Sequence, residues 1–137
     1  MTQPDAAALV AELRTQDDVA AGLGIEVVRA EPGLVELAMP AAAHMANGHG
    51  VVHGGYLFLL ADTALAYCCA SLGRRSLTRT ADIAYLAPGR VGARLTAVAE
   101  LRAAQGRTTI CDVRVLADGE TVAELRGHGA VIATAGG

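Results

Sequence analysis

The chain has 137 residues, of which 53% are hydrophobic, and carries a formal net charge of −3. That is enough apolar residue for one packed core and argues against disorder. The basic residues are eleven scattered Arg with no Lys, so neither a nucleic-acid surface nor an anionic-membrane surface is expected.

Residues 4–14 predict a short helix with Pro4 near its first turn. Asp17 and Asp18 are placed to cap a second one that stops at Gly22 or Gly24. Residues 1–22 thus form an N-terminal helical segment. Two strands follow, over 25–31 and 34–39, joined at Glu31-Pro32-Gly33. Residues 41–53 hold Asn47, two Gly and three His without a period, and predict a loop.

The run 54–72 is apolar on almost every face, which predicts a helix surrounded by protein. Gly73 is a natural stop, and Arg74 and Arg75 suit its negative dipole end. Four strands complete the chain, over 77–86, 93–103, 108–116 and 121–133, with Ala117-Asp118-Gly119 as a hairpin signal. The pattern predicts an α+β domain over 1–137, a curved antiparallel sheet of five to six strands around one long helix. The long apolar run nears membrane-spanning length, but Asp62, Thr63 and Ser71 inside it and the amphipathic strands after it favour a core helix. The start of the chain lacks the order of a secretory signal. The three cysteines suggest reduced thiols, so a cytoplasmic protein is expected.

The chemistry is concentrated in Asn47-Gly-His-Gly-Val-Val-His53-Gly54-Gly55 and the helix that follows with its lone Asp62. A helix N-terminus offers unpaired N–H groups to an oxygen that becomes an anion. A carboxylate in an apolar helix is costly unless paired or used. Gly54 and Gly55 are the candidate donors, and Asp62 the candidate carboxylate. Each residue also has a plainer reading. Asp62 can be a structural carboxylate, Gly54-Gly55 a tight turn, and His53 a loop-orienting group. Asn47 can stabilise its own turn, and Thr63 can bond back to its helix. His44, His49 and His53 match no common zinc spacing, so no metal is expected. Cys68 and Cys69 read as packing residues, and Tyr85 as core or pocket wall.

Asp62 lies eight residues after Gly54, about 12 Å along a helix at ~1.5 Å per residue. If the two act on one carbonyl, they must come from two chains with antiparallel helices. This predicts a dimer with shared sites.

The segment Asn47–Tyr67 closely resembles the hotdog-fold thioesterases of the phenylacetic acid degradation (PaaI) type. Asp82-Ile-Ala-Tyr-Leu-Ala-Pro-Gly89 and Gly119–Ile132 extend the resemblance. It implies hydrolysis of an acyl-CoA without a cofactor, favouring aryl-acetyl groups such as phenylacetyl or hydroxyphenylacetyl, by dimers paired into tetramers. It implies Asp62 as nucleophile or general base, Gly54 as carbonyl-polarising donor, possibly helped by Gly55, and His53 and Asn47 as nearby polar groups. Thr63 matches the family, and Thr78 or Thr80 fills the place of a further hydroxyl. Arg74, Arg75, Arg79, Arg90 and Arg107 are candidates for the CoA phosphates. Two other functions compete, an acyl-thioester hydratase or dehydratase and a non-catalytic acyl-CoA-binding module.

Overall fold

The computed structural model describes residues 5–134. Helix α1 (Ala6–Thr15) starts at Asp5, whose side chain accepts from the Ala7 N–H. The Pro4 expectation lies outside the described residues. Asp17 caps α2 (Asp18–Leu23) through Oδ1, and Gly24 closes it at φ 70°. The other Asp17 oxygen accepts from the Tyr67 hydroxyl at 2.8 Å, tying this segment to the central helix. Burial and that bond raise the Tyr67 pKa well above its ordinary value.

Strands β1 (Glu26–Glu31) and β2 (Leu34–Pro40) form a hairpin at Pro32-Gly33. The Gly33 N–H donates to Ser71 Oγ, beside the end of the long helix. The loop before that helix holds one 3-10 turn, Ala43–Met45. Helix α3 (Gly54–Ala70) is followed by β3 (Arg74–Tyr85), β4 (Arg94–Gln105), β5 (Thr108–Ala117) and β6 (Glu120–Thr134). The β5–β6 turn places Asp118 and Gly119 at φ 48° and 85°, the left-handed pair a two-residue hairpin requires. All pairings are antiparallel, in the order β1-β2-β4-β5-β6-β3. Helix α3 packs against β2, β3, β4, β5 and β6. This is the hotdog arrangement, a sheet wrapped around one helix.

Arg74 and Arg75, just past the expected stop at Gly73, open β3, which starts three residues before the expected 77, and Arg75 Nη2 donates to Gln16 Oε1 at 2.7 Å. Helix α3, apolar on almost every face, is not surrounded by its own chain on all sides. Leu57, Leu60, Ala61, Ala64, Leu65 and Cys68 are buried, while Gly55, Leu59, Asp62 and Ala66 form a stripe open to solvent to varying degrees. These four residues, at i, i+4, i+7 and i+11, share one helix face, and Asp62 is the ionisable one among them.

Helix and sheet approach closely at Gly127, on β6. A Cβ there would collide with Leu65 Cδ1, and Leu65 is fully buried. Gly127→Ala is therefore expected to lower stability by about 1–3 kcal/mol, the usual range for overpacking. Denaturant unfolding checks this; an unchanged midpoint would mean that Leu65 has room to turn aside.

Strand β3 carries the feature that builds the site. Its register with β6 shifts between Thr78 and Thr80, leaving Arg79 as an extra residue in a bulge. Before the bulge, Ser76 and Thr78 pair with Val131 and Gly129, on the inner face. After it, Ala81, Ile83 and Tyr85 take that face, opposite Gly127, Leu125 and Ala123. The parity of inward residues thus changes along one strand.

Candidate active site

Asp62 sits on the solvent-facing stripe of α3, half-buried. Its Oδ1 accepts from the Thr78 hydroxyl at 2.5 Å. Oδ2 has no hydrogen-bond partner among the described residues. One oxygen is thus held and the other is open.

Thr80 lies on the opposite face. Its hydroxyl meets His128 Nδ1 at 2.8 Å on the outer surface of the sheet, so it does not reach Asp62. The bulge decides between the two threonines, and nothing in simple strand alternation foretells a bulge. The Thr63 hydroxyl donates back to the Leu59 carbonyl at 2.8 Å, the plainer of its two readings.

At the start of α3, His53 is the N-cap, and its Nδ1 accepts the Gly55 N–H at 2.8 Å. The ring proton therefore belongs on Nε2. Only one of the two candidate donors remains available. The Gly55 N–H is engaged, whereas the Gly54 N–H has no acceptor among the described residues. Asn47 holds the loop itself. Its Oδ1 accepts from the N–H groups of His49 and Val51, and its own N–H bonds the Val51 carbonyl. His53 N–H donates to the Met45 carbonyl, which anchors the loop's far end. Asn47 and His53 thus shape the approach to the helix. Tyr85 reaches the same place from β3, donating its hydroxyl to the Gly54 carbonyl at 3.1 Å.

The three histidines of the loop are engaged separately. His44 meets Tyr56 edge-on at 6.0 Å, His49 is exposed, and His53 caps the helix. The cysteines are free and buried. Hydrogen bonding with Cys68 pushes the Cys111 thiol up to about 12, and contact with Cys111 together with burial pushes Cys69 higher still. All three are packed in the core, and the raised thiols of Cys69 and Cys111 are poor nucleophiles.

Two well-formed depressions lie elsewhere. One of about 590 Å³ is on the outer sheet face, among Asp82, Arg102, Asp112, Arg114, Glu124 and Arg126. Most of its charges are paired: Arg114 bonds Glu124, Arg126 and Arg102 both bond Asp112, and Arg126 foremost holds that carboxyl below its ordinary pKa. The other, about 200 Å³, lies by Pro88 and Val122. Neither contains Asp62 or Gly54. Among the described residues no helix is long and apolar enough to cross a membrane.

A family model described as the thioesterase superfamily matches residues 49–124, which include Gly54, Asp62, Thr78 and Tyr85. The chain belongs to the thioesterase superfamily. This thioesterase-superfamily chain is 39% identical over 112 residues to the acyl-coenzyme A thioesterase PaaI of Escherichia coli, across 81% of this chain and 80% of that one. The solved structure of the E. coli PaaI protein from the phenylacetic acid degradation operon matches with a TM-score of 0.91 at 35% identity, over 95% of both chains. A hypothetical thioesterase of Streptococcus pneumoniae, solved with coenzyme A, matches with a TM-score of 0.78 at 27% identity, over 81% of this chain and 90% of that one. Two further S. pneumoniae thioesterase structures carry single Asp→Ala and Thr→Ala replacements. Their positions are sixteen apart, the separation of Asp62 and Thr78 here.

Proposed function

We propose that this chain is an acyl-CoA thioesterase acting on aryl-acetyl-CoA, phenylacetyl- or hydroxyphenylacetyl-CoA, or on similar medium-sized acyl-CoA. The carrying observation is Asp62, with one oxygen held by Thr78 and the other free, on the helix whose first N–H is unspent. The origin of the E. coli relative in a phenylacetic acid operon supports the acyl class.

In the reaction, the thioester carbonyl oxygen accepts from the Gly54 N–H, where the helix dipole favours the developing negative charge. Asp62 either takes a proton from a water that adds to the carbonyl carbon, or adds to that carbon itself. The tetrahedral oxyanion collapses, the C–S bond breaks, and CoA leaves as thiolate. In the general-base route the proton on Asp62 passes to the departing sulfur or to solvent, leaving free acid and CoA. In the nucleophilic route, water then cleaves the acyl-Asp62 anhydride. A thioester is electrophilic enough for either route, and no cofactor is required.

Both functional groups lie on α3, about 12 Å apart along its axis at ~1.5 Å per residue. One chain cannot bring them to one carbonyl, so the site is read as shared between two chains. Strand β3 favours this reading. It is twelve residues long and, among the described residues, pairs with β6 alone and leaves its other edge unpaired. Joining two such edges makes one continuous sheet and sets two α3 helices side by side. Pairs of dimers give the homotetramer. Each chain acts as one domain, and its unpaired thiols fit the cytoplasm.

Thr78→Val is expected to lower kcat roughly tenfold to a hundredfold, the value of a hydrogen bond to a charged group. A rate within twofold of wild type would remove Thr78 from the site.

The reading is tested by steady-state hydrolysis of phenylacetyl-, hydroxyphenylacetyl-, benzoyl-, short and long aliphatic acyl-CoAs, with free CoA detected by a thiol reagent, and by following an enoyl-CoA for loss of its double-bond absorbance. Turnover fastest on the aryl-acetyl forms supports it. Tight binding without turnover points to an acyl-CoA-binding module. Water added across an acyl-CoA double bond, with the thioester intact, points to a hydratase.

A further inference from the structure

Two aromatic rings occupy the places where side chains would stand on Gly54 and Gly55. A Cβ on Gly54 would lie 3.0 Å from Tyr85 Cε1 and Cζ. A Cβ on Gly55 would lie 3.0 Å from His53 Nδ1. The same rings hold the two ends of the peptide unit that joins the glycines. Its carbonyl accepts from the Tyr85 hydroxyl at 3.1 Å, and its N–H donates to His53 Nδ1 at 2.8 Å. Two successive glycines are the least restrained pair a chain can place at a helix start. Left alone, they would let the first turn fray.

We propose that Tyr85 is a positioning residue which, with His53, clamps the Gly54–Gly55 peptide and so restrains Gly54, whose own N–H lies on the preceding peptide unit. For catalysis this rests on the thioesterase reading above; the clamp itself is a property of the fold. The helix supplies the donor, the His53 carbonyl of its peptide unit accepts from the Tyr56 N–H at 2.9 Å, and the loop and β3 hold the unit that follows. Tyr85 is 52% exposed, so its ring is not needed to fill the core. Its hydroxyl bond is the contact that a Phe cannot make.

The test uses isotopically labelled full-length protein, wild type and Tyr85→Phe, with amide exchange followed by NMR and hydrolysis of phenylacetyl-CoA followed in parallel. The Gly55 amide is expected to exchange about tenfold faster in Tyr85→Phe, while amides from Leu60 to Cys68 keep their rates. The kcat is expected to fall about three- to tenfold with KM within twofold, as loss of one neutral hydrogen bond allows. Unchanged Gly55 exchange overturns the clamp. Faster exchange along all of α3, with a lowered melting temperature, also overturns it, since that is a general packing effect. A fall in activity carried by KM alone assigns Tyr85 to substrate contact and overturns the positioning role. If the wild type hydrolyses no acyl-CoA, the thioesterase reading fails, and the exchange result still decides the clamp.

Discussion

Asp62→Asn is expected to reduce kcat by roughly two to four orders of magnitude on any acyl-CoA the wild type hydrolyses, the range spanned by removal of a general base. The amide keeps the shape of the carboxylate and can still accept from Thr78, so the geometry of β3 against α3 is retained. What is lost is the free oxygen's capacity to take a proton or to attack. Folding should be nearly unaffected, because Asp62 is half-buried on the open stripe of α3 and makes one side-chain hydrogen bond. Matched circular dichroism and melting curves establish that, and the rate is read from CoA release. A variant that keeps more than about a tenth of the wild-type rate is incompatible with Asp62 as base or nucleophile.

Mixing two inactive variants should restore activity. In a Gly54→Ala chain the added Cβ meets the Tyr85 ring at 3.0 Å and displaces the donor. In an Asp62→Ala chain the carboxylate is missing. A dimer with one of each has, under the shared-site arrangement, one site with both defects and one with neither. Unfolding and refolding an equal mixture gives about half mixed dimers, and so about a quarter of wild-type activity. If each site were built from one chain, no dimer in the mixture would hold an intact site. The two arrangements therefore differ by a clear recovery against none, measured at equal total protein. Size-exclusion chromatography of each parent variant checks that both still assemble.

The elements were largely legible in the sequence because their signals are local. Asp17 before Val19-Ala20, Pro32-Gly33, Gly73 and Asp118-Gly119 each mark an end or a turn through backbone chemistry that acts within a few residues. The Gly-Gly opening of the helix and the half-buried Asp62 were legible for the same reason. The choice between Thr78 and Thr80 was not, because it depends on how β3 registers against β6, fifty residues later. The engagement of the Gly55 N–H by His53 is local, yet an adjacent pair of glycines does not say which of its two amides will be taken. The contact of Tyr85 with Gly54 joins residues thirty-one apart and leaves no pattern in either segment. Nor does the link from Tyr67 to Asp17.

Thr78 and Tyr85 stand an odd number of residues apart, yet both point at the same helix. A regular strand cannot do this, because its side chains alternate. The extra residue at Arg79 is what reconciles them. The spacing of these two hydroxyls is therefore a constraint that can be inherited only together with the kink. A descendant that loses one residue between them keeps both contacts when the residue lost is the bulge itself, which leaves an even spacing and a regular strand. A relative with an even spacing therefore announces a straight strand before its structure is solved.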